Sequence, residues 1–125
     1  MTTPRQRPVF FHLLQLHLPL TALVSIVHRL TGLLLFLALA PAIWLLERSL
    51  SDAAGYAHVQ QLLQTWPARL LGVLLLWALA HHLLAGLRVL LIDAEFGVER
   101  GAARRSALWV FAAGMLAVIA GVMWP

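Results

Sequence analysis

The sequence predicts an all-α membrane protein with three transmembrane helices. Three observations carry this: composition, three long uncharged stretches and the distribution of arginines. Of 125 residues, 62% are hydrophobic and 11% charged, against roughly 45–50% and about 25% in soluble domains. A short folded chain exposes a large share of its residues, and so few charges cannot cover a water-facing surface. A mean hydropathy of +0.86 also excludes intrinsic disorder, which requires low hydrophobicity. The length fits a single transmembrane domain over residues 1–125.

Each element follows from the apolar runs. The segment before Pro19 is too polar to span and reads as a short interfacial helix or an extended arm. Leu30 to Leu46 is an uncharged run of 17 residues, and it extends back to Leu20 if His28 and Arg29 are tolerated inside the bilayer. Leu70 to Leu87 has 18 uncharged residues, and Ser106 to Pro125 has 20. A spanning helix needs roughly 20 residues at about 1.5 Å each, which places helices near 20–47, 67–93 and 105–124. The connection from Glu47 to Trp66 has room for a short amphipathic helix around Tyr56 to Gln64. Trp44, Trp66, Trp109 and Trp124 fall near the expected helix ends, where indoles prefer to sit, and Trp77 is expected to pack.

Arginine asymmetry gives the orientation. Arg5, Arg7, Arg100, Arg104 and Arg105 lie on one side, and Arg48 and Arg69 on the other, offset by Glu47 and Asp52. Five against two predicts the N-terminus in the cytoplasm and the C-terminus in the periplasm. The first helix is too long for a cleaved signal, and the N-terminal residues lack the serine-rich, amphipathic look of a transit peptide. A bacterial cytoplasmic (inner) membrane is therefore expected. With 9 arginines, no lysine and a net charge of +4, a nucleic-acid ligand is worth considering, but the arginines are scattered and no polar aromatic surface accompanies them. The absence of cysteine excludes disulfides, thiolate catalysis and a cysteine-ligated cluster on this chain. Any metal chemistry falls to the 6 histidines.

Ionisable residues at membrane depth are costly and invite a functional reading. Ser25, His28 and Arg29 share one face of the first helix through i+3 and i+4 spacing. Arg29 lies about 13 Å in from Leu20. His82 stands 11 residues before Asp93, or about 16 Å from the same surface. Antiparallel helices thus bring Ser25, His28, Arg29 and His82 to similar depth. Neutral imidazole in an apolar shell suits haem iron, and Gly86 leaves a notch where a macrocycle could approach. His28 and Arg29 suit propionates, and Ser25 suits a quinone carbonyl. Two other readings stay open: these residues simply join helices by hydrogen bonds and snorkelling, or they line an ion or proton pathway. Adjacent residues on a helix point about 100° apart, so His81 and His82 do not both face one iron, and His81 is expected to be an interhelical hydrogen-bond partner. His12, His17 and His58 read as interfacial or loop residues. Asp93, Glu95 and Glu99 read mainly as a solvated loop face.

Arg7-Pro8-Val9, followed at a distance by Ser25-Ile26-Val27-His28-Arg29-Leu30-Thr31-Gly32, resembles the N-terminal signature of the cytochrome b membrane-anchor subunit of succinate dehydrogenase. His82-Leu83-Leu84-Ala85-Gly86-Leu87-Arg88, with Asp93 five residues on, is similar to that family's second signature, from which Val89 and Ile92 depart. The resemblance covers nearly the whole chain and implies a haem-binding helical bundle shared with a companion membrane-anchor subunit. It implies that His82 is an axial ligand of one haem b, the second imidazole coming from that companion anchor. His28 and Arg29 then lie near the haem propionates, and Ser25 and Arg29 belong to a ubiquinone site. The implied partners are the companion anchor, an iron–sulfur subunit and a flavoprotein subunit, with lipid around them and no nucleic acid. Such a chain anchors the enzyme of the respiratory chain and tricarboxylic acid cycle without itself oxidising succinate. Asp93 and Glu99 are candidates for a proton path to the quinone. The alternatives are an anchor of a quinol:fumarate reductase and a haem-free helical anchor.

Overall fold

The computed structural model describes residues 18–123. Arg5, Arg7, Pro8, His12, His17, Trp124 and Pro125, on which several expectations above rest, lie outside the described residues. Four helices follow in order: α1 (Leu20–Ser51), α2 (Ala53–Gln64), α3 (Trp66–Asp93) and α4 (Arg100–Met123). The described residues contain no strand. Three of the helices, α1, α3 and α4, are long and apolar enough to cross a membrane, as the uncharged runs predict.

Helix ends differ from the expected ones where polar turns extend an apolar rod. Helix α1 continues through Glu47 and Arg48 to Ser51, because backbone bonding does not stop where hydrophobicity does. Pro41 sits inside it and removes one backbone donor, a loss that membrane helices tolerate. Helix α4 starts at Arg100 rather than 105, since arginine is a good helix former. Asp52 alone separates α1 from α2, and its carboxylate caps α2 by accepting from the Gly55 amide. That bond holds the Asp52 carboxyl below its ordinary range. Helix α2 occupies the stretch where a short amphipathic helix is expected. The α3–α4 connection opens with nested bonds from Phe96 N–H to Leu91 O and from Glu95 N–H to Ile92 O. This Schellman turn puts Glu95 at φ 65°, a position glycine usually fills.

Helix α3 is central, packing on α1 along one side and α4 along the other. Where the three meet, Val24 of α1, Ala85 of α3, and Ala107 and Val110 of α4 form the buried cluster. The buried residues are small because lipid offers no hydrophobic drive between helices, and close backbone approach must supply the contact energy. Trp77 packs as expected: it is half-buried, and a β-carbon at Gly114 would lie 3.2 Å from its Nε1.

Candidate functional site

The site forms where α1 and α3 cross. The His28 and His82 rings, which two separate stretches of sequence are expected to bring level, stack with centroids 4.3 Å apart and planes 28° from parallel. His82 Nδ1 lies 3.0 Å from the backbone oxygen of His28. A carbonyl only accepts, so Nδ1 carries the proton and donates, leaving the lone pair on Nε2. The Thr31 hydroxyl lies 2.8 Å from Val27 O and 3.0 Å from His28 O. Its oxygen is also 3.5 Å from His82 Nδ1, at the outer limit of a hydrogen bond. Thr31 is buried at 2% exposure, so this contact is part of the α1–α3 interface.

Gly32 completes the seat. A β-carbon there would stand 2.8 Å from His82 Cε1 and 3.3 Å from Nδ1, closer than carbon atoms pack. Thr31 and Gly32 stand in the first signature but receive no role from the sequence, although they lie i+3 and i+4 from His28, the same spacing that gathers Ser25, His28 and Arg29. The notch expected at Gly86 is filled from within the chain: a β-carbon there would meet His28 Nε2 at 3.5 Å.

The remaining candidates are less gathered. Ser25 and Arg29 are exposed on α1 while His28 is half-buried, so the shared face divides into a packed edge and an open shoulder. Asp93 ends α3 and Glu99 precedes α4, both exposed. His81 is fully buried; its ring faces the Val24 backbone of α1 across the helix interface, although neither ring nitrogen makes a hydrogen bond of good geometry among the described residues. It packs between Trp77 and Phe111, with ring centroids 5.8 and 5.5 Å away, because the side of α3 it occupies meets the apolar face of α4. Among the described residues no three histidines or carboxylates cluster to cage a bare metal ion.

Residues 3–121 match the model of the succinate dehydrogenase/fumarate reductase transmembrane subunit family. The chain is 35% identical over 121 residues to a Coxiella burnetii protein named succinate dehydrogenase cytochrome b556 subunit, covering 95% of this chain and 96% of that one. A Paracoccus denitrificans protein of the same name is 32% identical over 113 residues, covering 90% and 87%.

Proposed function

The chain belongs to the family of succinate dehydrogenase/fumarate reductase transmembrane subunits, and we propose that it contributes His82 as one axial ligand of a haem b and Ser25 and Arg29 to a quinone site. It is a multi-pass membrane anchor of a succinate dehydrogenase. The relatives' names favour succinate oxidation with quinone reduction over the reverse reaction. They also name a cytochrome, which supports haem.

The donor set fits a haem iron. The bond from His82 Nδ1 to the α1 backbone is the orienting contact that a metal-bound histidine makes through its second nitrogen. It fixes the tautomer with Nε2 free, and it carries this reading. His82 would hold the haem together with a second imidazole from a companion membrane anchor. When bound, the haem supplies a one-electron carrier within the membrane. The chain's own residues hold and complement it. His28, stacked on the ligand, and Arg29, one residue on, are the cations for the propionates. The Arg29 guanidinium has only donors to offer, so at membrane depth it requires an anion or carbonyl, and its exposed position on α1 leaves it free to meet one. Ser25 donates a hydrogen bond to a quinone carbonyl from the same open shoulder. Asp93, at the end of α3, and Glu99, just before α4, start a proton path to the quinone. The iron–sulfur and flavoprotein subunits dock on that side, with the N-terminus cytoplasmic and the C-terminus periplasmic.

The test is a pair of substitutions in the purified complex, with its subunits identified. His82→Leu should abolish the reduced b-type absorbance while the complex stays assembled, and His81→Leu should keep it. Loss with His81→Leu alone overturns the assignment, and a wild-type complex without b-type absorbance establishes the haem-free anchor.

A further inference from the structure

We propose that the groove between α3 and α4 is a binding site for one anionic phospholipid. The groove encloses about 570 Å³ and includes no α1 residue, so it is separate from the His28–His82 seat. Its upper rim carries Arg88, Arg105 and Ser106, its floor includes Leu84 and Val110, and its lower end reaches Ala113.

Charge selects the occupant. Arg88 is half-buried, and its hydrogen-bond partners among the described residues are neutral. Nε donates to Ser106 Oγ at 3.0 Å, and one terminal nitrogen donates to Ala103 O at 3.2 Å. A guanidinium at the edge of a membrane is stabilised by a counter-ion, and Arg105 adds a second cation on the same rim. A phosphate is the anion that a bilayer supplies at this level, since Arg88 lies five residues before the end of α3, or about 7.5 Å along the axis. Below Ser106 the α4 wall is apolar, through Trp109 and Val110 to Ala113, seven residues on or about 10 Å, which suits the upper part of an acyl chain. The exposed indole of Trp109 on the rim belongs to the residue type that favours headgroup depth. A neutral quinone tail leaves both guanidiniums uncompensated, and a phosphatidic headgroup pairs with them.

The intact complex, washed in detergent and exchanged into nanodiscs of equal phosphatidylglycerol and phosphatidylcholine, is re-extracted and its retained lipid counted by native mass spectrometry. Wild type should retain one phosphatidylglycerol in marked preference to phosphatidylcholine. Arg105→Gln should lower that preference about fivefold, in line with one cation at a lipid surface. Ala113→Phe should reduce retention by filling the tail end while leaving both arginines in place. Arg104→Gln should change nothing, because Arg104 lines a different cleft beside Pro19 and Thr21. Size-exclusion chromatography confirms assembly of each variant. Equal retention of the two lipids by wild type, or undiminished preference in Arg105→Gln or undiminished retention in Ala113→Phe, overturns the proposal.

Discussion

Gly32→Ala is the smallest change that separates the His82 seat from the rest of the fold. The added carbon would stand 2.8 Å from His82 Cε1, whereas carbon atoms settle at about 3.5–4.0 Å. Ring and helix must therefore part by about 0.7 Å or more. The ring has little room to retreat, because the His28 imidazole is stacked on it at 4.3 Å. A comparable displacement takes the Nδ1 to His28 O separation from 3.0 Å to about 3.7 Å, beyond hydrogen-bond range. The direct loss is about 0.5–1.5 kcal/mol for the bond, but the larger effect is on ligand orientation. Removing the outer partner of a metal-bound histidine typically lowers metal affinity by about 10–100-fold. Reduced-minus-oxidised spectra and redox titration of the complex should show diminished haem occupancy and a shifted midpoint potential, with assembly retained. Gly86→Ala should act mildly, since its carbon would meet His28 Nε2 at an ordinary 3.5 Å. Gly72→Ala should be silent, because nothing lies within 4 Å of the added carbon. Full occupancy with unchanged potential in Gly32→Ala would refute the claim that this seat sets the ligand.

Ser25→Ala should weaken quinone reduction by up to about tenfold, the worth of one neutral hydrogen bond, while succinate oxidation by an artificial dye continues upstream. Arg29→Leu should lower quinone turnover more and also shift the haem potential; equal loss of dye activity in either variant shows that the residue holds the complex together instead. Asp93→Leu should slow quinone reduction with the haem retained, and a pH–rate profile matching wild type removes Asp93 from the proton path.

The three spans are legible in the sequence because charge-free runs of near-bilayer length are uncommon except in membrane helices. The meeting of His28 with His82 is legible as well, since rise per residue sets the level along each helix and successive membrane-crossing helices run antiparallel. What sequence does not encode locally is the element opposite a given face. Gly86 reads as space for a ligand, and the His28 side chain of the neighbouring helix takes that space. Gly32 is marked in the sequence only as the end of a signature, and its role exists only because an imidazole from another helix rests on it. The start of α4 departs from expectation for a related reason. Arg100 and Arg104 belong to α4 although they lie outside its apolar part, and hydropathy marks the membrane boundary rather than the end of hydrogen bonding.

The adjacent histidines show how packing partners divide chemically identical side chains. The buried positions of α3 are Ala78, His81 and Ala85, spaced by three and four residues, so they form one stripe. That stripe holds α3 in the centre of the bundle, and His81 lies within it. A ligand must present a lone pair beyond its own chain, and both His81 nitrogens are buried, so His81 can reach a cofactor only if the helices packed around it separate. His82 lies about 100° around the helix, at the edge of the stripe. There α1 satisfies one nitrogen with a backbone oxygen, while the ring stays half-exposed. His81 therefore has the burial expected of a structural residue, and His82 has the one tethered and one free nitrogen that ligation requires. A leucine can fill the His81 position at little cost to α3–α4 packing. No apolar side chain can reproduce what His82 offers on both sides of its ring.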